Sequence, residues 1–326
     1  MLAYIGKRIL QFIPVFIGAT LILFLLQAVV PGDPIRMLAG EKAIPEAVYQ
    51  QIVEQNHLNE PIYVQYGYYM ADLVQGDLGT SYHKNKPVTE IFAEKLPFSA
   101  RLALCAIVLE ILIGITAGII SAIKKYSFLD GIVTITTAIL VSVPVFWLGM
   151  ILQMTFGISL KDITGGALAL PISGAGGPIS DFPTWMHYIL PAITLAAVSL
   201  ALTARIMRSQ LLEVMNADYI RTARAKGLSK AAVIRKHALK NAMIPVVTFI
   251  GIDFGVMLGS AILTETIFNW PGIGTEIVRA IAQRDWPIVM GGVILVVLIV
   301  MIINLIVDIS YAYFDPRIRY NKKAGD

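Results

Sequence analysis

Six apolar stretches alternate with polar ones along the chain. They cover residues 9–30, 103–123, 132–156, 188–206, 246–263 and 288–309. A helix rises about 1.5 Å per residue, so about 20 apolar residues cross a hydrocarbon layer about 30 Å thick. Each stretch is expected to be a transmembrane helix. The fifth carries the weakest pattern, being short and holding Asp253. Pro14, Pro144 and Pro191 interrupt the runs, which a membrane helix tolerates where neighbouring groups satisfy the freed carbonyl. The fold class expected is all-α integral membrane, one transmembrane domain over residues 1–326. Between the first two runs, residues 45–57 and 62–74 read as small helices. Residues 157–187 are rich in glycine and proline and read as an irregular loop, with Trp185 and Tyr188 at the membrane interface.

Composition supports lipid as the solvent. Apolar residues make up 56% and charged ones 15%, against about 25% charged in an ordinary soluble domain. Lys7 and Arg8 precede the first run as in a secretory leader, but the run is too long and ends in Pro31-Gly32-Asp33-Pro34, so it reads as a retained helix. With the N-terminus inside, 17 Lys and Arg fall on the cytoplasmic side and 9 outside. That asymmetry predicts six spans with both termini cytoplasmic. Residues 31–97 are then extracytoplasmic, and 207–245 form a cytoplasmic loop. The single cysteine, Cys105, makes no internal disulfide, and His57, His83, His187 and His237 lack metal-ligand spacing.

The cytoplasmic loop is the longest and most basic. Asn216 is suited to cap a helix start and Asp218 to its positive end. Arg224 and Lys226 suit the other end, Gly227 a left-handed stop, and Ser229 a second N-cap. A short helix, a glycine turn and a second helix are expected, with Ala223 and Ala225 small enough for another protein to approach. Charge alone leaves two readings open, a docking element or a loop that only fixes topology.

Residues 218–245, with Arg221-Thr222-Ala223-Arg224-Ala225-Lys226-Gly227-Leu228, then His237-Ala238-Leu239-Lys240-Asn241 and Ile244-Pro245, resemble the coupling loop of binding-protein-dependent ABC importer permeases, in the dipeptide/oligopeptide (peptide/nickel) branch. The wider superfamily begins this loop Glu-Ala-Ala; here it reads Arg221-Thr222-Ala223, a departure that itself resembles the peptide branch. Further stretches are similar to the same branch. They are Pro31-Gly32-Asp33-Pro34, Leu58-Asn59-Glu60-Pro61 with Gln65-Tyr66, Gly76-Asp77-Leu78-Gly79-Thr80-Ser81, Glu265-Thr266-Ile267-Phe268, Trp270-Pro271-Gly272-Ile273-Gly274, Asp308, Tyr311 and Asp315-Pro316-Arg317-Ile318-Arg319.

The resemblance implies a type I ABC importer permease fold and a role as pore-forming subunit for di- or oligopeptides. It implies a second homologous permease in a heterodimer, two cytoplasmic ATP-binding subunits, an extracytoplasmic substrate-binding protein and surrounding lipid, with no nucleic acid. ATP and Mg would be bound by the partner subunits. This agrees with the missing G-x-x-x-x-G-K-[ST] loop. The residues implied to dock the ATPase are Arg221, Thr222, Ala223, Arg224, Ala225, Lys226, Gly227, Leu228 and Ser229.

Glu110, Asp253 and Asp308 lie in or at the edge of spans, where charge is costly and a cavity or partner is expected. Asp253, Met257, Ser142 and Glu265 are candidates to line the translocation path, with Asp253 open between cavity lining and pairing with the partner permease. Gly251, Gly255 and Gly259 form a small-residue stripe suited to helix packing. No catalytic or metal constellation is read. The competing readings are the same machine importing nickel or another small solute, a secondary transporter relaying protons through Glu110 and Asp253, and a membrane-embedded enzyme.

Overall fold

A computed structural model describes residues 2–29, 45–55, 57–178 and 180–314. The Pro31–Pro34 and Asp315–Arg319 motifs, and the basic tail residues Arg317, Arg319, Lys322 and Lys323, lie outside the described residues. The described chain is helical. It runs α1 (Leu2–Val29), α2 (Glu46–Gln55), α3 (Ile62–Val74), α4 (Val88–Leu109), α5 (Thr116–Ile123), α6 (Phe128–Ser142), α7 (Val145–Leu152), α8 (Leu160–Thr164), α9 (Ile189–Met215), α10 (Asp218–Ala225), α11 (Lys230–Val233), α12 (Leu239–Ile267), α13 (Ile273–Gln283) and α14 (Trp286–Phe314).

Five helical runs are long and apolar enough to cross a membrane: Gly6–Val29, Val88–Ile123, Thr184–Met215, Lys230–Ile267 and Trp286–Ile309. The sixth is broken. The expected span 132–156 bends by 110° between α6 and α7. Pro144 is the physical reason. It lacks an N–H, and Val143 before it is extended at φ −84°, ψ 128°, the conformation a following proline favours.

Several runs outlast their apolar stretch. The second helix opens at Val88, not 103, and passes through Pro97. Its charged residues Glu90, Glu94 and Arg101 sit on an exposed face while Ile91, Phe92 and Leu102 are buried. The fourth continues to Met215 and the fifth spans Leu239–Ile267. The two outer helices expected at 45–57 and 62–74 are α2 and α3, and α7 is followed by a π-helical turn at Gln153–Ser159, the short α8 and a 3-10 turn at Thr184–Tyr188.

The chain divides into two compact units, residues 1–97 with 272–299 and residues 98–271 with 300–326. In the first, Val88, Ile91 and Phe92 of α4 pack with Ile273, Ile277 and Ala280 of α13 and Ile288 and Val289 of α14. The stripe at 273, 277 and 280 is the buried face of an amphipathic helix. Tyr66 and Tyr69 of α3 pack on Phe24 of α1, and the Tyr66 and Thr20 hydroxyls lie 2.9 Å apart. In the same unit, Asp285 is fully buried and accepts from the Ser81 hydroxyl at 2.6 Å and from the Tyr82 and His83 amides at 3.2 Å. That carboxylate holds the end of the Gly76–Ser81 motif, whose turn is closed by Gly79 N–H donating to Asp77 Oδ1 at 2.8 Å. Burial first, and then the Asp285 charge, push the Tyr82 phenol above its usual range.

The second unit has two cores. Leu102, Ala106, Leu195, Ala196, Met257, Ala261 and Trp270 form one, with the Trp270 indole donating to the Phe98 carbonyl at 3.1 Å and Tyr188 meeting the ring edge-on. Trp185 is exposed as expected of an interfacial ring. Two glycines of the expected stripe pack on a neighbouring helix, Gly251 against Val307 and Gly255 against Ile303. The second core lies under the loop of residues 207–245.

Candidate functional site

Helix α10 is short, but its seat is well made. Ile220 and Ala223 are buried in a core with Ala122, Met207, Leu211, Val233 and Ala238. Spacing of i, i+3 places those two on one side. Arg221, Thr222, Arg224, Ala225, Lys226, Gly227, Leu228 and Ser229 are exposed. The helix ends at Gly227, φ +81°, where an added Cβ would meet no atom within 4 Å. The glycine is therefore required by backbone conformation and not by crowding. Ser229 caps α11, its hydroxyl accepting from the Ala232 amide at 3.3 Å. Asn241 Nδ2 donates to the Tyr219 hydroxyl at 2.8 Å, tying α10 to the root of α12.

Two expectations about this loop need correction. Asn216 does not cap α10; it ends α9 in helical conformation, its side chain donating back to the Leu212 carbonyl at 3.1 Å. Ala217 is the N-cap and supplies no side-chain bond. Ala223 does not present a small surface to another protein, because it is turned into the chain's own core. Its smallness serves the approach of α10 to the spans.

The path candidates separate on inspection. Met257 is 2% exposed inside a core and Glu265 is 1% exposed on α12, so both are enclosed by the chain itself, which removes them as lining groups in this conformation. Ser142 is exposed beside the α6–α7 bend, its hydroxyl donating to the Ala138 carbonyl at 2.8 Å. Asp253 is half-buried near Ser199 and Glu110. Glu110 itself is fully buried at the start of a π-helical turn, Glu110–Ile115, and accepts from the Thr203 hydroxyl at 2.5 Å. Such turns displace the helix register and cluster at functional positions. Among the described residues no three His, Cys, Asp or Glu side chains gather as metal ligands.

One constellation escaped the sequence. Asp130, at the start of α6, is 4% exposed and receives four donors. Arg208 grips both oxygens, Nε to Oδ1 at 2.8 Å and Nη2 to Oδ2 at 2.9 Å; the Tyr126 amide donates at 2.8 Å, and the Ser121 hydroxyl completes the set. The readable signal was Ser127-Phe128-Leu129-Asp130, a capping pattern with Ser127 accepting from the Asp130 amide.

Residues 114–320 match the Binding-protein-dependent transport system inner membrane component family, and residues 1–103 match the N-terminal family of the same transport-system membrane components. The chain is 44% identical over 334 residues to the dipeptide transport system permease protein DppB of Alkalihalophilus pseudofirmus, covering 98% of this chain and all of the relative. It is 40% identical over 322 residues to the oligopeptide transport system permease protein AppB of Bacillus subtilis, again 98% and 100% covered. A chain of the inward-facing MetNI methionine ABC transporter superposes with a TM-score of 0.52 at 15% identity, over 70% of this chain and 97% of that one, which supports the fold. The chain belongs to the binding-protein-dependent transport system inner membrane component family, whose members are multi-pass, non-catalytic membrane subunits of ABC importers.

Proposed function

We propose that this chain is one of two pore-forming subunits of an importer for di- or oligopeptides, driven by ATP and Mg bound on separate cytoplasmic subunits. An extracytoplasmic binding protein hands over the cargo, and a second homologous permease completes the pore. Both termini face the cytoplasm, in keeping with the 17-to-9 split of basic residues. The observation that carries the reading is α10, an exposed basic helix closed by a left-handed glycine and seated on a packed core, beside relatives named as dipeptide and oligopeptide permeases. Arg221, Arg224 and Lys226 offer an ATPase subunit a surface suited to acidic side chains, with Leu228 as an exposed apolar contact.

Ser142 and Asp253 are the remaining path candidates. Reconstitution of the chain with its partner permease, ATPase subunits and binding protein tests the cargo. Dipeptide or oligopeptide uptake dependent on ATP is expected. Uptake of nickel but no peptide would overturn the cargo, and hydrolysis by the isolated chain would overturn the division of labour.

A further inference from the structure

We propose that Asp130 and Arg208 are a positioning pair that locks the α5–α6 hairpin to α9, so that a displacement of α10 moves the hairpin with it. The proposal rests on the reading of α10 as the ATPase docking helix.

The run that leads into the hairpin meets α9 closely at two glycines. At Gly114 an added Cβ would lie 3.0 Å from the Leu200 carbonyl oxygen and 3.1 Å from Thr203. One turn on, at Gly118, it would lie 2.6 Å from the Ala204 carbonyl oxygen and from Met207 Cβ. Two glycines at i, i+4 therefore lie directly on the backbone of α9. Close approach of this kind gains dispersion contacts. The Thr203 and Met207 side chains of α9 seat in the two notches, and apolar contacts of this kind are non-directional.

The pair adds a directional contact to this packing. Two guanidinium N–H groups on two carboxylate oxygens define both a distance and a plane, and the Ser121 and Tyr126 donors fix the carboxylate from the hairpin side. Tyr126 holds φ +63°, a costly conformation for a residue with a Cβ. The turn that aims Asp130 is thus held by its own hydrogen bonds. On the α9 side, Arg208 is next to Met207 and one turn before Leu211, and both of those belong to the core that seats Ile220 and Ala223 of α10. A continuous chain of contacts runs from α10 through this core to Arg208, Asp130 and the broken span that begins with α6. Apolar contacts carry load along it, and the ion pair prevents the load from dissipating as slip.

The test uses the complete transporter in lipid nanodiscs. Spin labels are placed on Lys124→Cys and Asp218→Cys, two exposed positions outside the docking surface, in a Cys105→Ala background. The expected result is one distance distribution shared by the nucleotide-free and ATP-trapped states, and a nucleotide-dependent one once Asp130→Asn is added. A shift in the otherwise unsubstituted pair approaching one helical turn, about 5 Å, would overturn the proposal. So would a distribution that Asp130→Asn leaves insensitive to nucleotide.

The second readout is peptide transported per ATP hydrolysed. Asp130→Asn should lower it about tenfold, the range of an ordinary coupling energy, with ATPase subunits still copurifying and still hydrolysing. Exchanging the pair, Asp130→Arg with Arg208→Asp, should restore part of it. An unchanged ratio in Asp130→Asn would overturn the proposal. If Asp130→Asn does not accumulate, Arg208→Lys, which keeps the charge and loses the bidentate fork, takes its place. Loss of the docking reading looks different: ATPase copurification would then be indifferent to Arg224→Glu, whatever the label distances show.

Discussion

Two buried aspartates each hold a turn in this chain, and they do so with different partners. In the first unit Asp285 is satisfied by neutral donors, a serine hydroxyl and two backbone amides. In the second Asp130 is satisfied by a hydroxyl, an amide and the fork of Arg208. Neutral donors close a loop onto one carboxylate and make a static corner. An arginine reaching across from another helix joins two elements and fixes their relation. The first arrangement is expected to matter for stability and the second for transmission.

The sharpest way to break this contrast is Asp285→Ala. It strands the Ser81 hydroxyl and the Tyr82 and His83 amides in a buried site, each costing about 1–3 kcal/mol when unsatisfied. The melting temperature of the purified transporter should fall strongly and abundance with it, while any complex that assembles should keep its transport per ATP. Gly118→Val should follow. Its Cβ would fall 2.6 Å from the Ala204 carbonyl oxygen, and overpacking of this kind costs about 1–3 kcal/mol. Gly131→Val is the control, since its Cβ meets no atom within 4 Å, and it should melt near the native value. Asp130→Asn should lower the melting temperature less than Asp285→Ala, because Arg208 keeps 29% of its side chain in contact with solvent. It is the transport-to-hydrolysis ratio that should suffer.

Sequence reading reached the helices that obey an apolar pattern and failed where geometry depends on contact. The spans around 9–30, 188–206 and 288–309 are visible because lipid-facing and core-facing positions are both apolar. The bend at Pro144 was not visible as a bend, since a proline in a membrane helix is tolerated or broken according to its surroundings. The opening of α4 at Val88 was masked by Glu90, Glu94 and Arg101, charges on the exposed face of a helix whose other face is Ile91 and Phe92. Helix α13 carried a legible stripe at Ile273, Ile277 and Ala280 that was passed over as a motif after span five. At the candidate site, Gly227 and Ser229 were readable because a left-handed stop and a cap are local chemistry. The inward turn of Ala223 and the Asp130–Arg208 pair were not, since both depend on which helices meet.

Gly227→Ala should have a small effect on stability. Holding φ +81° with a Cβ costs about 1–2 kcal/mol, confined to an exposed turn. Melting should shift little, yet ATPase subunits should copurify less well, since the turn presents Lys226 and Leu228.

The docking claim is tested most directly by contact. Single cysteines at Arg224→Cys and Gly166→Cys, in a Cys105→Ala chain, are exposed to a short bifunctional crosslinker in the assembled transporter. The account predicts a covalent adduct between the Arg224→Cys chain and an ATP-binding subunit, and none from Gly166→Cys. An Arg224→Cys chain that reacts with a soluble thiol reagent yet never crosslinks to that subunit, in a complex that still hydrolyses ATP, would contradict it.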